Sequence, residues 1–187
     1  KVLFKSEGIF IRHPIVILKS GDWILPIYYC DESGHYSAVK ISADEGKSWD
    51  EYIVDKSKYR IQMNIIELDA STLLAFFRSR DADRIYSSIS KDMGRIWTEP
   101  VKTILPNNNS STQAVKLESG NLVMVYNDAT LERDQIRPFM KNGKLVKKLL
   151  RTPLTIGLSN DNGKNWPFVR NVQISDDEYL ENQLGYS

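Results

Sequence analysis

The chain has 187 residues, enough for one ordinary domain or for part of a larger one. Its formal net charge of +1 excludes a global attraction to nucleic acid or to an anionic membrane surface. Hydrophobic residues make up 41%, enough for a core, yet no apolar run approaches a membrane span, and a single cysteine, Cys30, excludes an internal disulfide framework.

The chain opens at Lys1 with neither Met nor a signal-like segment, as expected of a mature or excised piece. The compartment is left open by this, with secretion or an extracellular site as one option. A first short apolar run, Arg12 to Leu18, leads into the turn Lys19-Ser20-Gly21-Asp22 and a second run, Trp23 to Tyr29. His13 reads as a packed or turn histidine, and Cys30 as a small buried apolar residue rather than a nucleophile. The octet Ser42-Ala43-Asp44-Glu45-Gly46-Lys47-Ser48-Trp49 follows.

The same order then repeats. Gln62 to Leu68, the turn Asp69-Ala70-Ser71, Thr72 to Arg78 and a third run from Arg84 to Ser90 lead to Ser90-Lys91-Asp92-Met93-Gly94-Arg95-Ile96-Trp97. The overlapping sequons at Asn108 and Asn109 matter only in a secretory pathway. Thr112 to Leu117, the turn Glu118-Ser119-Gly120-Asn121 and Leu122 to Asn127 open a third unit. It closes with Ser159-Asn160-Asp161-Asn162-Gly163-Lys164-Asn165-Trp166 and a last run, Val169 to Ile174. These runs are short, β-branched and bounded by turn residues, so each unit is expected to be a four-stranded antiparallel sheet.

The shared pattern Ser-x-Asp-x-Gly-x-x-Trp suits a tight turn between two strands. Asp and Ser side chains bond nearby backbone N–H groups, Gly supplies the backbone angle, and Trp anchors the return. The third unit is lengthened by an insertion, Asp128 to Leu150, with Arg133, Arg137, Lys141, Lys144, Lys147 and Lys148. It reads either as a solvated hairpin or as a flap over an anionic substrate. Repetition at this spacing points to a propeller built of similar units. The units span about 8–57, 60–106 and 110–174, with the start of another at Leu184-Gly185-Tyr186-Ser187. The fold class is all-β, and 1–187 is expected to be a partial propeller. Three units alone leave open sheet edges, so self-association through those edges is an alternative way to close a ring.

In such an up-and-down sheet the connections alternate between ends. The octets and the strand 1–2 turns share one end, so functional residues are expected at the other. That leaves Arg12, Gln62, Asn64, Arg78, Gln113, Asn127, Arg151 and Glu181 among the candidates, while Glu67 falls near the octet end. Arg78 and Arg151 stand just outside apolar runs, where a guanidinium can grip a carboxylate with two parallel hydrogen bonds. No spacing points to a metal or cofactor, and none is expected.

The octet resembles the Asp-box, or BNR repeat, of the sialidase superfamily, whose propellers are six-bladed. The segment Arg151-Thr152-Pro153-Leu154-Thr155, then the third box, then Leu184-Gly185-Tyr186-Ser187, is similar to the late segment of those enzymes. The resemblance implies a glycoside hydrolase of exo-α-sialidase type acting on an acidic glycan or sugar, or else a non-catalytic carbohydrate-binding or structural propeller. It implies Arg78 and Arg151 as carboxylate-binding arginines and Tyr186 as nucleophile. A neutral phenol approaches a carbon beside a carboxylate without charge repulsion. Where the family has the activating Glu, this chain has Gln62, which cannot act as a base; Glu178 or Glu181 could stand in for it.

Overall fold

A computed structural model describes residue 4 and residues 7–32, 34–133, 136–141 and 144–174. The strands are β1 (Ile9–Phe10), β2 (Val16–Ile17), β3 (Trp23–Asp31), β4 (Gly34–Ser42), β5 (Asp50–Ile53), β6 (Arg60–Glu67), β7 (Leu73–Ser79), β8 (Arg84–Ser90), β9 (Val101–Pro106), β10 (Gln113–Lys116), β11 (Leu122–Asn127), β12 (Ile136–Lys141), β13 (Lys144–Leu149), β14 (Leu154–Ser159) and β15 (Phe168–Gln173). Among the described residues the only helical element is the 3-10 turn Leu131–Arg133. The strands form three antiparallel meanders and one hairpin, with orders β1-β3-β4-β5, β6-β7-β8-β9, β10-β11-β14-β15 and β12-β13. By internal contacts the chain divides into two compact units. One is Lys1–Phe77 with Tyr86–Val101, and the other is Arg78–Ile85 with Lys102–Ser187.

The expected strands are present with one correction. Within the expected first strand, Arg12 to Leu18, only β2 is extended, and a separate short strand, β1, lies before that run; both pair with β3. Pro14 lies between them and can donate no ladder hydrogen bond. The insertion is a hairpin, with Ile136 opposite Leu149 and Lys141 opposite Lys144.

The three meanders share one register. The Ser that opens each box stands opposite the first residue of the second strand: Ser42 faces Trp23, Ser90 faces Leu73 and Ser159 faces Leu122. The strand 1–2 turns repeat as well. Leu18 N–H donates to Asp22 O at 2.9 Å, Leu68 N–H to Thr72 O at 2.9 Å and Leu117 N–H to Asn121 O at 2.8 Å. Boxes and strand 1–2 turns therefore share one end of each sheet. Glu67 lies at that end of β6, where both carboxylate oxygens accept from Lys19 N–H at 3.2 Å.

Each box is held by its Asp. In the first, Asp44 Oδ1 accepts from Lys47 N–H at 3.0 Å, Ser48 N–H at 2.8 Å and Ser42 Oγ at 2.8 Å. Asp92 accepts from Arg95 N–H, Ile96 N–H and Ser90 Oγ, and Asp161 from Asn165 N–H and Ser159 Oγ. The box Ser in turn accepts from the Gly N–H at 2.8–2.9 Å. The Trp indole donates to the Gly carbonyl at 3.1, 2.8 and 3.2 Å. Glu45, Met93 and Asn162 precede the Gly with φ of 59°, 61° and 59°, so two consecutive left-handed residues make the bend.

In the first unit Ile24, Val39 and Ile41 pack with Met63, Ile65, Leu73, Ala75, Phe77 and Trp97. On the opposite face of β3, Leu25, Ile27 and Tyr29 are buried with Ala38, beneath Phe4, Ile9 and Trp49. In the second unit Leu122, Met124, Tyr126 and Trp166 are buried. Gly157 lies close beneath the indole, where a Cβ would be 3.2 Å from Trp166 Cε3.

The box carboxylates tie stability to pH. The Ser48 backbone N–H, followed by the Ser48 and Ser42 hydroxyls, holds Asp44 well below the usual carboxylate range. The Asn165 backbone N–H and side chain hold Asp161 down to about 2. At Asp92 burial is the largest single influence and pushes upward, but the Ile96, Ser90 and Arg95 hydrogen bonds together outweigh it. Unfolded aspartates titrate near 4, so between that value and the folded one the unfolded chain binds more protons. This stability is complete above pH 5 and is lost as pH falls through 4 toward 2. Thermal melts across pH 2–7 should show a plateau that collapses below pH 4. Asp161→Asn should lower the plateau and flatten the acid limb; an unchanged limb would show that the carboxylate is not the titrating group.

Packing at the second box yields another expectation. Gly94 has φ of +95°, and a Cβ there would meet Ile24 Cδ1 at 2.6 Å; Gly120 has φ of +86° with nothing within 4 Å. Gly94→Ala should cost roughly 3 kcal/mol from backbone strain and overpacking together, and Gly120→Ala about 1 kcal/mol from strain alone. Denaturant titration of the two variants compares them directly.

Candidate functional site

The end of the sheets opposite the boxes gathers candidate residues within the second unit. β7 is buried from Leu73 to Phe77, and Arg78 is its first half-buried residue. The loop after β9 then wraps this strand end. Asn107 Oδ1 accepts from Ser79 N–H at 3.1 Å and from Asn109 N–H at 3.1 Å, while Asn107 Nδ2 donates to Ser110 O at 3.0 Å. This places Asn109, itself at φ of 60°, so that its Oδ1 accepts from Arg78 Nε at 2.9 Å. A bond at Nε fixes the plane of the guanidinium, and with it the direction of the fork.

The next residue in the same loop reaches Arg151. Asn108 Nδ2 donates to Leu150 O at 2.5 Å. Asn127, the last residue of β11, donates from Nδ2 to Arg151 O at 2.7 Å, and Asp128 N–H donates to Pro153 O at 3.0 Å. The Thr152–Pro153 peptide is cis. Neighbouring side chains of one loop thus tie the end of β7 to the segment that carries Arg151. Within that loop Asn108 Oδ1, Ser110 Oγ and Thr112 Oγ1 are buried and have no hydrogen-bond partner among the described residues. Such a concentration of buried polar atoms is uncommon in a purely structural turn.

The acids nearby are already paired with cations. Glu132 accepts from Arg84 Nε at 2.7 Å and meets Lys102 at 3.4 Å, and Asp83 meets Lys102 at 3.1 Å. The Arg84 hydrogen bond, ahead of the one from Lys102, keeps the Glu132 carboxyl below its usual range. Tyr126 precedes Asn127, but burial, reinforced by Asp128, pushes its phenol up to about 12. It therefore remains a neutral, enclosed phenol at physiological pH.

The remaining candidates are placed as follows. Gln113 opens β10 and is exposed, its Nε2 donating weakly to Ala114 O at 3.4 Å. In the first unit Gln62 and Asn64 lie on β6 and are 9% and 5% exposed. Gln62 has φ of 54°, an unusual backbone state for a strand residue other than glycine. Arg12 is exposed between β1 and β2, and His13 is buried. Cys30 is half-buried rather than enclosed, with Sγ 2.9 Å from His35 Nδ1. Glu178, Glu181 and Tyr186 lie outside the described residues. Asn107, Asn108 and Asn109 were legible in the sequence only as a polar loop with sequons. Their role depends on Ser79 and Leu150, which no local spacing reveals.

Among the described residues no group of three or more His, Cys, Asp or Glu side chains could hold a metal ion. Among the described residues no helix is long and apolar enough to cross a membrane. A search of curated protein sequences finds no significant match. Solved structures similar to this chain include sialidases. One is the Hadza microbial sialidase Hz136, at TM-score 0.68 and 18% identity over 87% of this chain and 30% of that one. The sialidase of Trypanosoma rangeli matches at TM-score 0.61 and 16% identity, over 86% of this chain and 25% of that one. The sialidase NanB of Streptococcus pneumoniae matches at TM-score 0.60 and 18% identity, over 86% and 23%. The chain therefore spans less than a third of the length of these relatives, and its fold is that of part of a sialidase-like β-propeller. The family model for the BNR repeat-like domain matches residues 5–187, so with its three Asp-box turns the chain belongs to the BNR repeat-like family.

Proposed function

We propose that this chain supplies the acid-binding part of a sialidase-like glycoside hydrolase, with its three sheets acting as propeller blades over about 8–57, 60–106 and 110–174. The observation that carries the reading is the single loop that bonds Arg78 through Asn109 and the Arg151 segment through Asn108. One loop that orients the Arg78 guanidinium and holds the backbone beside Arg151 suits a grip on the carboxylate of an acidic sugar. The carboxylate would then fix the sugar ring relative to the propeller axis. Tyr186 is assigned as nucleophile: its oxygen bonds to the anomeric carbon as the glycosidic C–O bond breaks, its phenolic proton passes to a carboxylate base, the aglycone oxygen takes up a proton and leaves as the alcohol, and water then cleaves the tyrosyl–sugar bond. Gln62 cannot take that proton, so Glu181 is the candidate base.

A second reading has its own support. Gln62 occupies the place of the family's activating Glu, and its left-handed backbone is held in a buried site. This favours a propeller that binds an acidic sugar without cleaving it. Arg78 and Arg151 bind the acid in both readings, so a binding experiment tests what the two share.

Calorimetric titration with N-acetylneuraminic acid and a panel of other acidic monosaccharides should detect binding that Arg78→Ala or Arg151→Ala weakens at least tenfold. Loss of one charge-assisted hydrogen bond is worth about 1.5–3 kcal/mol. Arg78→Lys should recover little, because Lys lacks the fork. Asn109→Ala should weaken binding several-fold by releasing the guanidinium plane. Binding that is indifferent to both arginines overturns both readings. In the full-length protein, Tyr186→Phe should abolish turnover of acidic glycosides. Binding without turnover in the wild type selects the second reading.

A further inference from the structure

β7 ends at Ser79, one residue past Arg78, and the chain then reverses into β8. In that reversal Ala82 N–H donates to Ser79 O at 3.3 Å, Asp81 N–H to Ser79 Oγ at 3.2 Å and Ser79 Oγ to Asp83 Oδ1 at 2.5 Å. Ala82 sits at φ of 56° and is 2% exposed. A left-handed alanine is strained, so it persists only where its surroundings hold it.

Part of that hold comes from the entry of the insertion that lengthens the third sheet. Thr130 Oγ1 lies 2.9 Å from Ala82 O and 2.7 Å from Asp83 O. A hydroxyl has one proton to give. Leu131 N–H already donates to Ala82 O at 2.8 Å, so the Thr130 proton goes to Asp83 O. Thr130 and Ser79 are fully buried, so bulk water does not compete for these bonds. Asp83 O also accepts from Asn107 N–H at 3.2 Å. The side chain of the same Asn107 accepts from Ser79 N–H and Asn109 N–H, and Asn109 accepts from Arg78 Nε. One carbonyl thus joins Thr130 to the loop that orients the Arg78 guanidinium, and every link lies within the second unit.

A neighbouring fastening is weaker. Glu132 meets Arg84 at 2.7 Å, but the Arg84 and Glu132 side chains are 30% and 35% exposed, where an ion pair contributes little. Removing the Thr130 hydroxyl instead takes a buried donor from the Asp83 carbonyl. A hydroxyl that only seated the insertion would need no acceptor in common with the Arg78 loop. Here the acceptor is shared with Asn107.

We infer that Thr130 is a positioning residue for Arg78, acting through the Asp83 carbonyl, Asn107 and Asn109, so that the grip of Arg78 depends on the seating of segment 129–133. That Arg78 grips an acid rests on the function proposed above; the placement of its guanidinium does not.

The test follows the arginine side chain itself. In 1H–15N spectra of the whole chain the Arg78 Nε–H signal is identified by its absence in Arg78→Lys, and its exchange with water is measured. Exchange should be slow in the wild type and roughly tenfold faster in Thr130→Val, as for the loss of one buried hydrogen bond. Thr130→Ser keeps the hydroxyl and should restore slow exchange, and Glu132→Ala should leave it slow. Thermal melts record the stability of each variant, and Thr130→Ala takes the place of Thr130→Val should the latter not fold. Binding of N-acetylneuraminic acid should weaken roughly three- to tenfold in Thr130→Val, with little further effect in an Arg78→Ala background. Equally slow exchange in wild type and Thr130→Val overturns the inference. So does equal acceleration in Glu132→Ala, or an affinity loss of the same size in both backgrounds. Sugar binding indifferent to Arg78→Ala overturns the acid-sugar reading alone, because the Nε–H exchange is measured without sugar.

Discussion

The structure depends on a carboxylate that closes a loop of backbone. Asp44, Asp92 and Asp161 each gather at least one backbone N–H, and a Ser hydroxyl, from the residues around them. Without that acceptor, the two consecutive left-handed residues of each box would have only strain to show for their geometry. With it, the chain reverses at a fixed residue and the Trp returns to the same carbonyl in all three copies. Because the box Ser also fixes the cross-strand partner of the second strand, one turn sets the register of a whole sheet. Register then decides which side chains arrive at the opposite end.

Much of this was legible in the sequence because its causes are local. Ser, Asp, Gly and Trp at fixed spacing carry their own hydrogen-bond chemistry, and the strand from Arg84 to Ser90 could be bounded from composition alone. The first strand was misread where a single Pro14 outweighed the apolar pattern around it. Gln62 could be singled out by its place in the chain, but its left-handed backbone could not, since nothing in the neighbouring residues demands it. The candidate site was half visible. Arg78 and Arg151 announced themselves as charges beyond apolar runs, whereas the Asn107–Ser110 loop that joins them is an aperiodic polar stretch. Its meaning comes from Ser79, 28 residues earlier, and from Leu150, 42 residues later than Asn108.

The two ends of each sheet divide the labour. At one end, repeated turns hold rigid geometry with chemistry indifferent to ligands. At the other, the connections differ from sheet to sheet: two residues between β3 and β4, and a loop, a 3-10 turn and a hairpin between β11 and β14. Variation is concentrated where a ligand would be read. Charge follows the same division, since the most cationic stretch of the chain is grafted onto that variable end.

The bond from Asn108 to Leu150 has a practical consequence for making the protein. Asn108 lies in a sequon, and the nitrogen that would carry an N-linked oligosaccharide is the one that donates to the Leu150 carbonyl, in a side chain 4% exposed. In a eukaryotic secretory host, transfer to that nitrogen before the loop closes would leave a bulky branched sugar where a buried contact belongs. Material from such a host would be a mixture of closed and propped-open loops at the end that carries Arg78. A bacterial host lacking this modification leaves the Asn108 nitrogen free to donate to Leu150 O.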